Sequence, residues 1–241
     1  MIPQGQDVMG QAGIDFLLSG NRDAAIKVWS DVAETDVMPV RYLFRSYNEM
    51  PMLEQKALSL CRGKVLDVGA GMGSHALYLQ QQNLDVEALE ISPLSCEVMK
   101  HRGVEHVVNG DFFTLKPEAR YDTILMMMNG IGLVGKISQL PRFFKQAARL
   151  LAPGGQILLD SSDLRYLFLD DDGSMLINLS GRYYGEVVYK MSYEQSQGNR
   201  FPWLFIDDEL LSYYAGLNSF HFDKIIDGPH YDYLGKLTLE E

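Results

Sequence analysis

The chain has 241 residues, 46% of them hydrophobic and 22% charged, with a formal net charge of −11. This composition suits one ordinary globular domain with a full core, and its acidic surface repels phosphate backbones, which argues against nucleic acid as a partner. The only cysteines, Cys61 and Cys96, sit in no C-x-x-C spacing and near no His cluster, so the expectation is no metal site and a reducing, cytoplasmic setting.

Met1 to Gln6 has neither the basic region nor the apolar run of a secretion signal, and no apolar stretch approaches the length of a membrane span. Residues 11–60 read as a helical cap. Within it Ile26, Trp29 and Val32 recur at helical spacing behind Asn21-Arg22-Asp23, a capping sequence with an acid in the first turn. Met38-Pro39 interrupts that pattern, and Val40 to Leu60 forms a second helical segment over the sheet edge.

The order then becomes regular. Lys64 to Val68 is a strand, closed by Gly69-Ala70-Gly71-Met72-Gly73, and Ser74 to Gln82 is a helix. Val86 to Leu89 is the second strand, ending at Glu90, and Pro93 to Arg102 a helix with proline in its first turn. His106 to Val108 is the third strand and Tyr121 to Met128 the fourth, its three methionines reading as core. Leu140 to Leu151 is a helix, Pro153-Gly154-Gly155 a turn, and Gln156 to Asp160 the fifth strand. Such alternation predicts an α/β fold with a parallel sheet and right-handed crossovers. Beyond Asp160, Tyr183 to Tyr193 and Phe201 to Ile206 read as an antiparallel hairpin. A helix capped by Asp207 or Asp208 follows, then two closing strands, His221 to Ile226 and Tyr233 to Leu239. No linker divides the chain, so residues 1–241 are expected to form a single domain, with a cap (1–60), a core (61–160) and a hairpin insertion with closing strands (161–241).

The informative unit is Asp67-Val68-Gly69-Ala70-Gly71-Met72-Gly73, which leaves a strand and enters a helix. Glycines permit a tight turn and close approach of a ligand, and the helix start offers free N–H groups. Asp67, at the mouth of this loop, would repel a diphosphate but attract an ammonium or a sulfonium. Glu90 ends the next strand, where an acid holds a ribose diol. Asp111 follows the third strand, in position to accept from an adenine amine while Phe112 packs on the ring. The ends of consecutive parallel strands share one edge of the sheet, where such folds bind ligands.

In these segments the chain resembles the class I S-adenosylmethionine-dependent methyltransferases. Val65 to Gly73 is similar to their first motif, Glu90 to the acidic second and Asp111 to the third. Tyr121 to Leu125 is similar to their fourth-strand motif, and Leu150 to Gly155 to the turn before strand five. The likeness spans residues 60–160 and the closing strands. It implies a doubly wound, mostly parallel Rossmann-like sheet with a final antiparallel strand, an N-terminal helical cap and an inserted β-hairpin. It also implies S-adenosyl-L-methionine as cofactor and cofactor contacts from Asp67, Gly69, Ala70, Gly71, Glu90, Ile91, Asp111, Phe112 and Met128, while the acidic balance and the lack of a large added domain favour a small-molecule acceptor. The Asp/Asn-Pro-Pro-aromatic motif of amino-methylating relatives is absent, because Asn129-Gly130-Ile131-Gly132 stands there.

Other residues are weighed by position. Phe44 to Pro51 either folds over the cofactor, with Arg45 or Tyr47 reaching its carboxylate, or is a helix-to-helix corner with solvated charges. Asn129 either bonds the acceptor or caps its loop. The hairpin, with Trp203, either walls the acceptor pocket or makes a homodimer contact. His75 reads as a helix residue packed beside the loop, Asp122 as a structural acid, and Asp170-Asp171-Asp172 as a solvated loop without calcium spacing. No residue stands out as a general base. The rival readings are an NAD(P)-dependent oxidoreductase, disfavoured by Ser74 in place of a third loop glycine and by Asp67, and a non-catalytic module that binds S-adenosylmethionine.

Overall fold

The computed structural model describes residues 2, 5–116, 120–169 and 181–240. The Asp170-Asp171-Asp172 segment lies outside the described residues. In chain order the elements begin with α1 (Val8–Ser19), β1 (Ala25–Ser30) and β2 (Asp36–Pro39), then short 3-10 turns at Val40–Phe44 and Tyr47–Glu49, and α2 (Met52–Leu60). The core follows as β3 (Lys64–Val68), α3 (Ser74–Gln81), β4 (Asp85–Glu90), α4 (Pro93–Arg102), β5 (His106–Asn109), β6 (Tyr121–Met126), α5 (Leu140–Leu150) and β7 (Leu151–Ser162). The chain closes with β8 (Glu186–Tyr193), β9 (Ser196–Gln197), β10 (Phe201–Leu204), α6 (Asp208–Leu217), β11 (Phe220–Asp227) and β12 (Asp232–Leu239).

Seven strands form the main sheet in the order β11-β12-β7-β6-β3-β4-β5. The β7-β6-β3-β4-β5 portion is parallel, and β12 runs antiparallel to both β7 and β11. Helices cover both faces because the central strands are apolar on both sides. Leu53 and Ala57 of α2 and Leu79 of α3 pack on Val65, Val86, Leu125 and Leu158. Phe143 and Phe144 of α5 and Leu211 of α6 pack on Leu66, Ile124, Met126 and Ile157. Side chains alternate along a strand, so Asp67, Met127 and Asp160 share the α2/α3 face with Val65, Leu125 and Leu158. That parity gathers polar groups at the carboxyl ends of β3 and β7.

The N-terminal cap departs from the sequence expectation. Only α1 is a long helix there, and the segment holding Ile26 and Trp29 is strand β1, with Val32 just beyond it. Ala24 and Ile26 are buried, Val28 is half-buried and Lys27 points out, a two-residue period that was masked by three apolar residues at helical spacing. The deciding bonds are non-local. β1 pairs with β2 on one edge and with β8, more than 150 residues away, on the other. The expected hairpin is present as β8 and β10, but it completes a second sheet, β10-β8-β1-β2, with β9 attached to β8. Elsewhere Met128 lies beyond the end of β6 and is exposed, and β7 begins at Leu151, taking in the Pro153-Gly154-Gly155 turn.

The small sheet is joined to the main body through α1, whose Val8 and Ala12 pack with Ile26, Met72 and Val98, and through a close contact between Trp203 and Gly132. A Cβ at Gly132 would overlap the indole of Trp203. Gly132→Ala should therefore lower unfolding free energy by about 1–3 kcal/mol, as overpacking does. Urea denaturation followed by Trp fluorescence measures it, and an unchanged midpoint would show that Trp203 does not bear on this turn.

Candidate functional site

The loop after β3 is shaped by glycines in the left-handed region. Gly69 has φ of 71° and Gly71 57°, values a side chain would strain. The N–H groups of Gly69 and Ala70 both reach the carbonyl of Leu89, which fixes the loop over the end of β4. A Cβ at Gly69 would meet nothing within 4 Å, so one side of the loop is open. Glu90, buried at the tip of β4, accepts from Gly71 N–H and from Ser92 N–H, both at 2.9 Å. Burial pushes its carboxyl up, and these N–H groups oppose the rise. Ile91 follows, 47% exposed, its apolar surface facing out at the sheet edge.

Asp111 is exposed and its Oδ1 accepts from Phe113 N–H at 2.8 Å, leaving Oδ2 free for another donor. Phe112, in contrast, is only 3% exposed and packs against Phe113 and Phe143. Its ring belongs to the core and offers no free face for a base, a correction to its expected role. The exposed apolar neighbour of Glu90 is Ile91.

Behind the loop lies a buried ionic cluster. Glu54 of α2 accepts from Arg45 with both carboxylate oxygens and meets His75 Nε2 at 2.6 Å. Arg45 also donates to the Tyr42 carbonyl and lies over the Tyr42 ring at 4.0 Å. Burial opposes charge on Glu54, but His75 and Arg45 overcome it and hold its carboxyl low. Burial likewise opposes charge on His75, yet the Glu54 hydrogen bond raises it. Asp67, only 2% exposed, is engaged by the N–H of Ala76. Its Oδ2 is buried with no partner, and burial raises its carboxyl. A buried carboxylate oxygen without a donor is costly and calls for one.

The tips of β6 and β7 complete the site. Met128 and Asn129 have φ of 63° and 58°, two successive non-glycine residues in the left-handed region. Such strain persists where surrounding structure enforces it, and it clusters at functional sites. Here Asn129 N–H donates to Asp160 Oδ1 at 2.7 Å, and its Nδ2 donates to the Leu204 carbonyl at 3.1 Å. Asn129 Oδ1 is buried and unpartnered. Asp160 is pushed up to about 7 by enclosure, against the N–H groups of Asn129 and Gly130.

The structure thus brings Asp67, the glycines, Glu90, Ile91, Met128 and Asn129 to one edge of the sheet. Arg45 and Tyr47 are placed near it but engaged otherwise. Arg45 is bound to Glu54, with only Nε buried and unpaired, and Tyr47 stacks on Tyr78 with ring centroids 4.1 Å apart. Trp203 packs on Gly132 in the turn after Asn129 and backs that turn. Asp122 receives Lys64 N–H at 2.8 Å at the opposite edge, a structural role. Sequence reasoning passed over Glu54 and Asp160. Glu54 had a signal, since it interrupts the buried stripe of Leu53, Ala57 and Leu58, and Asp160 had another, since it shares the inward parity of Leu158. Among the described residues no group of three or more His, Cys, Asp or Glu is placed to hold a metal, and no helix is long and apolar enough to cross a membrane.

A glycine-cornered first crossover, acids at successive strand tips and an antiparallel β12 beside β7 define the Rossmann-like fold of class I methyltransferases. The chain belongs to the methyltransferase domain family, whose model matches residues 41–218. It is similar to an S-adenosylmethionine-dependent methyltransferase from Bacteroides fragilis, solved in complex with S-adenosyl-L-homocysteine. The two are 46% identical with a TM-score of 0.94, over 100% of this chain and 98% of that one. It is also similar to a demethylmenaquinone methyltransferase from Tropheryma whipplei, 28% identical over 155 residues. That match covers 61% of this chain and spans 62% of the relative's length. A cypemycin N-terminal methyltransferase from Streptomyces is 28% identical over 102 residues, 41% of this chain and 42% of that one.

Glu54 neutralises two buried cations, so Glu54→Gln should cost about 3–5 kcal/mol by stranding them. Chemical denaturation checks this, and a loss below about 1 kcal/mol would mean that the cluster is solvated. The folded His75 is raised above its ordinary 6.5, so its stabilisation is complete below that value and is lost as pH rises through the folded value. The urea midpoint should fall between pH 6 and pH 9, and less steeply in His75→Gln.

Proposed function

We propose that this chain is an S-adenosyl-L-methionine-dependent methyltransferase acting on a small-molecule acceptor in the cytoplasm. One observation carries the reading. Beside an open glycine loop, a fully buried carboxylate oxygen, Asp67 Oδ2, lacks a donor, and Glu90 stands at the next strand tip. A diphosphate cofactor would be repelled there, whereas a donor bearing an ammonium and a ribose supplies what these groups need.

In this reading Asp67 takes the ammonium of the cofactor and the backbone of Gly69, Ala70 and Gly71 runs along its amino-acid arm. Glu90 accepts from the ribose diol with the lone pairs its backbone contacts leave free. Ile91 lies on the adenine, Asp111 accepts from its exocyclic amine, and the backbone around Phe112 borders it. Met128, 37% exposed, shields the arm at the tip of β6. The bound cofactor supplies a methyl group already activated by a sulfonium. The protein's part is to align the acceptor and exclude water. The Bacteroides fragilis relative, bound to S-adenosyl-L-homocysteine, supports this choice of cofactor. The two unpaired cysteines support a reducing, cytoplasmic compartment.

S-adenosyl-L-homocysteine should raise the melting temperature and NAD(H) should not; the reverse would point to an oxidoreductase. By calorimetry, Glu90→Ala and Asp67→Asn should each weaken S-adenosyl-L-homocysteine by about 10–100-fold, the worth of one or two charge-assisted hydrogen bonds. Retained affinity in both would place the pocket elsewhere. Failure to transfer labelled methyl to any metabolite pool, despite tight binding, would mark a non-catalytic module.

A further inference from the structure

Asp160 has no part in holding the cofactor as described, yet it stands at the tip of β7, next to the β6 tip where Met128 and Asn129 turn. Its register position, one beyond the Met126–Leu159 pair, sets it beside Met127 on the α2/α3 face. Oδ1 is fixed by Asn129 N–H at 2.7 Å. The groups around it are the N–H groups of Asn129 and Gly130, Glu54 from α2, His75 from α3, Tyr42 from the Val40–Phe44 turn and Tyr233 from β12. Arg45 and His75 are both committed to Glu54, so neither pairs with Asp160. Leu234, opposite Asp160 in β12, is apolar and brings no charge.

Two further acceptor atoms in this neighbourhood lack donors, the buried Oδ1 of Asn129 and Oδ2 of Asp67. Asp67 is assigned to the cofactor's ammonium, which leaves Asn129 Oδ1 and the Asp160 carboxylate at the tips of β6 and β7. Asn129 Oδ1, which has no donor, and the Asp160 carboxylate, which keeps lone pairs beyond the Asn129 and Gly130 N–H groups it accepts, together select a ligand atom that carries at least two hydrogens. A hydroxyl brings one hydrogen and a carbon nucleophile none, whereas a primary ammonium brings three.

Resting on the methyltransferase reading, we infer that the acceptor is an amine, held by Asn129 Oδ1 and deprotonated by Asp160. The step balances. The ammonium of the acceptor gives one proton to the Asp160 carboxylate and becomes a neutral amine. Its lone pair forms the new bond to the methyl carbon, and the C–S bond breaks with its electron pair going to sulfur. The products are a protonated N-methylamine and neutral S-adenosyl-L-homocysteine, and Asp160 later releases its proton to solvent. A carboxyl held near 7 is matched to that exchange at neutral pH. The paired Arg45 and His75 add no net positive field to repel a cation, because Glu54 and Asp67 face them.

The test needs no knowledge of the natural acceptor. Sinefungin carries an ammonium-bearing carbon where the cofactor has its methylated sulfur, so its charge probes the ground between donor and acceptor. Calorimetry at pH 8 should show sinefungin binding at least about 10-fold more tightly than S-adenosyl-L-homocysteine. The counterpart with a hydroxyl on that carbon should gain nothing. Asp160→Asn should erase the sinefungin preference and leave S-adenosyl-L-homocysteine affinity within about 3-fold, which also shows that the variant is folded. In the wild type the preference should fade below pH 7, as the carboxyl protonates. A preference that survives Asp160→Asn, or a hydroxyl analogue that gains as much as sinefungin, overturns the amine assignment while the methyl-donor reading stands. If neither S-adenosyl-L-homocysteine nor sinefungin binds, the methyl-donor reading itself fails, and this inference with it.

Discussion

The Glu54 carboxylate is the point on which the site's construction turns. It lies on α2, yet it binds Arg45 from the preceding strap, residues 40–51, and His75 from the first turn of α3. Three segments are thereby pinned behind the glycine loop by one buried charge. A buried ion pair gives little net stability over an apolar packing of the same volume, because desolvation offsets the Coulombic gain. What it supplies here is position. Arg45 and His75 cannot both be buried charged without Glu54, and Glu54 cannot be buried without them. Their mutual need fixes α2 and the strap against the start of α3, and so fixes the back of the loop.

That arrangement explains why Asp67 can sit unpaired. Its Oδ2 has no donor within a cluster whose cations are already taken. A buried oxygen left unsatisfied in this way carries an energetic cost. The same logic applies at the tips of β6 and β7, where the left-handed turn through Met128 and Asn129 is held by Asp160 and by the Leu204 carbonyl. Strain and unsatisfied polarity coincide with the ligand edge of the sheet. At the opposite edge, Asp122 accepts from Lys64 N–H and Thr123 from Arg62 N–H.

The second sheet is tied to the turn that follows β6. β8 is flanked by β1 and β10, so the inserted hairpin is committed within the chain instead of presenting a free ribbon. Its end at Leu204 is bonded to Asn129, and Trp203 fills the space above Gly132. On the other flank, Asp7 accepts from Ser92 Oγ and Leu94 N–H, tying α1 to the segment that follows Glu90. Two parts of the chain far apart in sequence thus converge on the two ends of the ligand edge.

The sequence by itself determined the central sheet. The strands and helices from Lys64 to Asp160 carry hydrophobic runs punctuated by glycine and proline, and local signals of that kind survive without tertiary help. Asp67, the glycine loop and Glu90 were legible for the same reason, since their spacing follows from strand-turn-helix geometry. Tertiary structure alone decided the rest. Ile26 and Trp29 lie in a strand because β8 supplies the hydrogen bonds for one edge of β1, and no local pattern records a partner so distant. Phe112 turns into the core because α5 brings Phe143 to it. Glu54, His75 and Asp160 form one charged neighbourhood only because two helices and the tip of β7 meet there, and the free energy of a buried charge is set by what surrounds it in space.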